Sequence, residues 1–158
     1  MLKRILIFGT GMLLMTASGA LGFLWVRKPD MRPATALKVA STPAIVDRGR
    51  YLFQNVLDCD GCHSERDFSR FGGPVIERRR GVGFVFPKEM GLPGIVAAPN
   101  ITSDRETGIG NWTDGEILRA VREGVSRDGR ALFPMMPYEG YRNLSDDDAY
   151  ALVAYLRT

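Results

Sequence analysis

The 158-residue chain contains two cysteines and one histidine, and all three fall within five positions, Cys59-Asp60-Gly61-Cys62-His63. No other feature constrains the fold as tightly, because any architecture must present these three side chains together on one short stretch of backbone. A structural zinc site needs four ligands, and the chain has no second Cys or His cluster to complete one. A thioredoxin-like pair shares the Cys-x-x-Cys spacing but needs a βαβ surround, whereas a helical pattern precedes the motif here. A plain disulfide leaves the adjacent His63 unexplained.

The spacing that remains is that of covalent haem attachment. Cys59 and Cys62 are placed for thioether bonds to two vinyl groups, with His63 following directly as the proximal iron ligand. Because His63 is the only histidine, counting excludes a second imidazole on the other side of the iron. Methionine is the usual alternative, and it raises the reduction potential. Met31, Met90, Met135 and Met136 are the candidates beyond the first apolar segment. The run Pro134-Met135-Met136-Pro137-Tyr138 is the best placed, since flanking prolines hold a loop extended without helix formation. Met136, directly before Pro137, is the preferred ligand, with Met135 the alternative and Met90 outside these. Without a haem, the same methionines would read as gap fillers in a core.

Ile5 to Val26 is a run of 22 residues without charge. As a helix it would be roughly 33 Å long, enough for a hydrocarbon core of about 30 Å. A cleaved signal has a shorter apolar region, so residues 1–28 read as a signal anchor or transmembrane segment, with Trp25 at its far interface. Cleavage near Ala17-Ser18-Gly19-Ala20 is the competing reading. Lys3-Arg4 would stay cytoplasmic, although Arg27-Lys28 weaken that signal. The domain beyond would face the periplasm, tethered to a bacterial inner membrane or released if the N-terminus is cleaved. Residues 29–43, with three prolines and small or polar side chains, read as a tether, and residues 44–158 as the folded domain.

The formal charge of +3 is misleading. Setting aside Lys3, Arg4, Arg27 and Lys28 leaves 17 basic residues against 18 acidic ones, a balance that gives no support to nucleic-acid binding. The remaining basic cluster, Arg78-Arg79-Arg80, reads as a solvated loop face.

Three helices are expected. Ala44 to Val56 places Ile45, Leu52, Phe53 and Val56 at helical spacing. Thr113-Asp114-Gly115-Glu116 is a capping box ahead of a helix that Gly124 stops, and Ser145 caps a final helix with Asp146, Asp147 and Asp148 in its first turn. No run alternates long enough to demand a sheet. The Gly- and Pro-rich stretch from His63 to Asn100 is long for a small domain unless a large apolar group packs it. The expected fold is all-α: a three-helix, loop-rich domain around one haem.

The ordered motifs Cys59–His63, Ala98-Pro99-Asn100-Ile101-Thr102, Gly108–Thr113, Arg122–Arg130, Met136-Pro137-Tyr138 and Leu144-Ser145-Asp146 span residues 44–157. Together they resemble the class I cytochrome c fold. More narrowly, they resemble single-haem domains of membrane-associated bacterial c-type cytochromes, including cytochrome subunits of alcohol and sugar dehydrogenases. The resemblance implies haem c bound by Cys59 and Cys62, iron held by His63 and Met136, and a Gly49 helix crossing the last helix near Leu152 and Tyr155. It also implies that a proline carbonyl, from Pro74 or Pro99, accepts the His63 Nδ1 proton. Asn100, Trp112 and Arg130 are candidates for contacts near the propionates, with ordinary loop packing as the alternative for each. The insert Val75 to Val96 and the single haem domain depart from the dehydrogenase subunits.

The function implied is electron transport by a non-enzymatic, membrane-tethered carrier. Its redox partners would be a dehydrogenase, a quinol-oxidising complex or a terminal oxidase. The alternatives are a peroxidase-like haem enzyme and a docking subunit of a respiratory dehydrogenase.

Overall fold

The computed structural model describes residues 2–27 and 31–158, in two compact units, Met1–Met31 and Arg32–Thr158. The first unit is helix α1, Leu2–Val26. Its stretch Leu6–Val26 is long and apolar enough to cross a membrane, with a mean hydropathy of 1.6 and no part buried. The hydroxyls of Thr10 and Thr16 donate to the carbonyls of Leu6 and Met12 at 2.8 and 3.0 Å. Such back-bonding satisfies a hydroxyl where no water is available. Lys28, Pro29 and Asp30, at the boundary of the expected anchor and tether, lie outside the described residues.

The second unit is built on the crossing of α2, Pro43–Tyr51, with the last helix, Asp146–Leu156. Thr42 caps α2, and Leu52–Val56 continues it as a wider π turn closed by the Leu57 amide on the Leu52 carbonyl at 2.9 Å. The π turn brings Leu52 and Phe53 into the core, where both are essentially inaccessible. The two helices meet at Gly49. A β-carbon there would collide with the Ala151 carbonyl and stand 2.8 Å from the Tyr155 β-carbon, so the absence of a side chain sets how closely the axes approach. One turn on, Phe53 meets Tyr155 edge to face at 5.2 Å between ring centroids.

Between them in sequence come the short helices and loops that the crossing supports. Helix α3, Cys59–His63, carries the attachment motif. Helix α4, Asp114–Glu123, starts at a formed capping box between Thr113 and Glu116 and ends at Gly124 with φ 66°. Gly124 packs beneath the ring of Tyr138, the first residue of α5, Tyr138–Tyr141. The last helix, now α6, is capped by the Ser145 hydroxyl, which accepts from the Asp148 amide at 3.2 Å. Ile109, Ile117, Val121, Leu152 and Val153 join Leu52, Phe53 and Leu57 in one buried cluster.

Two expectations need correcting. The domain is not helical throughout: Phe84–Val85 (β1) and Ala97–Ala98 (β2) pair antiparallel within the insert, and two-residue strands are too short to leave an alternating pattern. The segment read as a tether is docked from Arg32 onward. Two nitrogens of Arg32 donate to one Glu123 carboxylate oxygen at 2.9 and 3.1 Å, and the Thr35 carbonyl occupies the space that a Gly115 side chain would need. The Val39 amide donates to buried Asp114 at 2.8 Å. Composition shows three prolines, but it cannot show a docking groove on α4.

Asp114 ties this segment to the C-terminus, because Arg157 donates to it at 2.8 Å and Lys38 stands 3.5 Å away. Burial pushes its carboxyl up, but the Val39 amide, Arg157 and Lys38 outweigh that, and it sits below the ordinary carboxylate value. A depressed folded-state value means stability that is present above the unfolded value, near 3.9, and lost as pH falls through the folded one. Urea midpoints should therefore fall below about pH 4, with Asp114→Asn flattening that slope while lowering stability at neutral pH. Gly49→Ala should destabilise by about 2 kcal/mol or more through overpacking against Ala151. Gly140→Ala, where a β-carbon meets nothing within 4 Å, should stay within about 0.5 kcal/mol in the same titration.

Candidate functional site

Helix α3 is one turn long, and its entry is shaped by Asp58, the only non-glycine described residue with positive φ, at 51°. A left-handed residue reverses the chain after Leu57 and starts the Cys59 turn at once. The Asp58 carboxylate lies over Gly61, where a β-carbon would be only 2.5 Å from Oδ2, so any larger residue there would have to displace that carboxylate.

Buried side chains secure the turn from beneath. Asp60 is 5 % exposed and Ser64 fully buried. The Ser64 hydroxyl donates to Asp60 at 2.6 Å and accepts from the Gly81 amide at 2.9 Å. Arg80 donates to Asp60 and, at 2.8 Å, to Glu77. The reading of Arg78-Arg79-Arg80 as a solvated face therefore holds for Arg78 and for Arg79, which is exposed and pairs with Glu65 at the surface, while Arg80 reaches into the domain. Sequence reasoning missed the Asp60–Ser64–Arg80 cluster. Its only signal was an acid inside the motif and a nearby run of arginines, and neither reveals depth.

His63 is half-buried, and its Nδ1 lies 2.8 Å from the Pro99 carbonyl oxygen. A carbonyl only accepts, so Nδ1 carries the proton and Nε2 keeps its lone pair. Burial also pushes the imidazole below its ordinary value, favouring the neutral form. The partner is Pro99; Pro74 instead accepts from the Asp67 amide at 2.9 Å. Burial pushes the Cys59 thiol up to about 12 and raises Cys62 in the same direction. An active redox pair needs the opposite shift. Both cysteines are free, and among the described residues no three His, Cys, Asp or Glu side chains converge on a metal-sized space.

The methionines separate clearly. Met136 is half-buried and packs on the main core, as does Cys59, while Met135 is 37 % exposed and Met90 56 %. The Met136 amide donates to the Phe133 carbonyl at 3.1 Å. The loop after it is fastened to the approach to the motif, since the Tyr141 hydroxyl donates to the Leu57 carbonyl at 2.5 Å. Ile101, Trp112, Tyr141 and Leu144 are half-buried on the same core. The Asn100 side chain is used within its own loop, accepting from Thr102 at 2.7 and 2.9 Å and donating to Thr107 at 2.8 Å. Arg130 is exposed, with Asp128 3.9 Å away.

Residues 44–156 match the family model described as cytochrome c oxidase, cbb3-type, subunit III. The chain belongs to this cytochrome c family. Similar proteins include a subunit of the nicotinate dehydrogenase of Pseudomonas putida, 38% identical over 87% of this chain and 11% of that protein. The gluconate 2-dehydrogenase cytochrome c subunit of Pantoea cypripedii is 38% identical over 71% of this chain and 22% of its own length. The fructose dehydrogenase cytochrome subunit of Gluconobacter japonicus is 35% identical over 84% and 24%. The chain thus spans a quarter or less of the length of these curated relatives.

A cytochrome c carries covalent haem c, and the site suits that group. Two un-ionised thiols and an imidazole with a free Nε2 share one turn, and half-buried apolar side chains border the core beside them. Asp60→Asn should weaken the cytochrome domain by about 3 kcal/mol by leaving Arg80 without its buried partner. The Asp60→Asn/Arg80→Met double variant should recover part of that loss in urea titrations of the haem-loaded chain.

Proposed function

We propose that the chain is a membrane-tethered, single-haem electron carrier of the periplasm. In this reading Cys59 and Cys62 hold haem c by thioethers, and His63 and Met136 ligate its iron. The observation that carries the reading is the His63–Pro99 hydrogen bond, which leaves Nε2 as a fixed, neutral donor on the turn that bears both cysteines. When bound, the haem supplies one-electron cycling between ferrous and ferric iron.

The chain's residues supply everything else. The Pro99 carbonyl orients the imidazole and strengthens it as a donor. Met136 is presented by a loop held at Phe133 and tied through Tyr141 to Leu57, which keeps its thioether from wandering between oxidation states. With His63 and Met136 both committed to holding the iron, no side of it would be left for a substrate, which favours electron transfer over peroxidase-like chemistry. Arg130 remains the candidate for a propionate contact because its guanidinium is exposed; Trp112 packs on the core, and Asn100 is committed to its loop. Helix α1 would hold the domain at the inner membrane, with Lys3-Arg4 on the cytoplasmic side.

The names of the relatives support a dehydrogenase as the electron donor. They also favour a second reading, in which the same domain works as a docked cytochrome subunit of such a complex.

The ligands are tested by the oxidised visible spectrum and by carbon monoxide binding to the reduced protein. Native chain and Met135→Ala should both show the methionine–iron charge-transfer band and resist carbon monoxide. Met136→Ala should lose the band, bind carbon monoxide and drop in reduction potential. Loss of the band in Met135→Ala alone would overturn the assignment. Rapid carbon monoxide binding by the native chain would overturn the closed carrier.

A further inference from the structure

The insert between the motif and Pro99 carries apolar side chains that the haem domain's core does not use. Phe68, Phe84 and Phe86 form a row, with ring centroids 6.2 and 5.3 Å apart, and none of them belongs to the buried cluster. The row runs from the turn around Phe71 to the β1–β2 ribbon, where the Phe86 amide donates to the Val96 carbonyl at 3.0 Å. Phe71 is fully exposed at one end, Ile95 is 83 % exposed at the other, and Met90 is exposed on the turn between the strands.

The turns bearing these three side chains stand clear of the domain. Gly72, Gly91 and Gly94 all have positive φ, and a β-carbon at any of them would meet nothing within 4 Å. Three cations accompany them. Among the described residues Arg70, Arg78 and Lys88 form no ion pair, whereas Glu65 and Glu77 are taken by Arg79 and Arg80. Asp67 is engaged by the Ser69 amide and hydroxyl, which leaves Glu89 as the uncommitted acid of this stretch. Outside residues 65–90, the rest of the domain from residue 29 onward has 11 basic residues against 14 acidic ones, so the excess positive charge is confined to the insert.

We propose that the turns at Phe71, Met90 and Ile95 form a second membrane contact, dipping apolar tips into an anionic phospholipid interface while Arg70, Arg78 and Lys88 meet its phosphates. Separate protruding tips, with Arg70 next to Phe71 and Lys88 two residues before Met90, suit a soft interface better than a protein partner. Protein interfaces bury a continuous apolar centre, which separate tips do not supply. Bulky apolar side chains at the headgroup level and basic side chains near anionic lipid each add to such binding. The bilayer is also at hand, because α1 is long and apolar enough to lie in one.

Hydrogen exchange on the haem-loaded full chain tests this without reference to its redox role. The chain is reconstituted in nanodiscs of phosphatidylcholine, with or without phosphatidylglycerol. Residues 68–73 and 88–96 should exchange more slowly in the anionic discs, and the protection should disappear at high salt. Neutralising any one of Arg70, Arg78 or Lys88 with Gln should lower the docked-to-undocked ratio about fivefold, the effect of removing one cation from an anionic surface. Phe71→Ser and Ile95→Ser, at positions in open space, should abolish protection and leave the haem spectrum unchanged. Equal exchange in both kinds of disc would overturn the proposal. So would a shifted haem spectrum in either Ser variant, which would assign these side chains to the haem pocket, or protection that appears only when a partner protein is added.

Discussion

The hydrogen bond from His63 to the Pro99 carbonyl joins positions 36 residues apart, and the rest of the site is organised around that closure. Closing a loop of that length costs about 3 kcal/mol of chain entropy, more than one ordinary hydrogen bond returns. The chain meets the cost with a set of short contacts at the loop's two ends. Gly83 donates to the His63 carbonyl at 2.8 Å, Ile101 donates to the Gly81 carbonyl at 2.8 Å, and Gly81 donates to Ser64. Arg80 anchors the same strand of backbone to Asp60 inside the motif. The imidazole is therefore oriented by a cooperative hub, and no single contact in it has to be strong.

That hub needs a rigid floor, which the helix crossing at Gly49 provides. Because α2 and α6 approach to backbone contact, Leu52 and Phe53 on the π turn are driven into the core, and the chain leaves them toward Asp58 and the motif. Tyr141 then links the floor to the Met136 loop through the Leu57 carbonyl. The motif turn and the Met136 loop are thus both referenced to the same residue, Leu57, which is itself buried. A site that must keep its geometry through a change of charge gains from being fixed to a rigid element in this way.

The sequence made the local signals legible. The capping box at Thr113, the Ser145 cap, the glycine stop at Gly124 and the helical face of Leu52 and Phe53 each depend on residues a few positions apart, and all are formed. Pro99 as a histidine partner was legible only as one of two prolines, since choosing between them requires knowing how residues 64–98 fold back. The buried fate of Arg80, the docking of Arg32–Val39 on α4 and the two-residue strands all depend on long-range partners. Gly115 illustrates the difficulty: within a capping box a glycine reads as a weak helix residue, yet its purpose is to make room for Thr35, 80 positions earlier.

The balance of core and surface in the cytochrome domain explains why such a long looped insert can persist. The continuous buried cluster contains nine residues, and half-buried side chains that include Ile101, Trp112, Met136, Tyr141 and Leu144 pack against it. A domain of this size buries only about two thirds of the surface its unfolded chain exposes, and side chains left half-covered contribute only part of their transfer free energy. A flat apolar group held at the motif would cover those of them that face it and add stability to the folded state alone. Covalent attachment at Cys59 and Cys62 would make the gain permanent, so the same five residues that equip the chain for electron transfer would also complete its core.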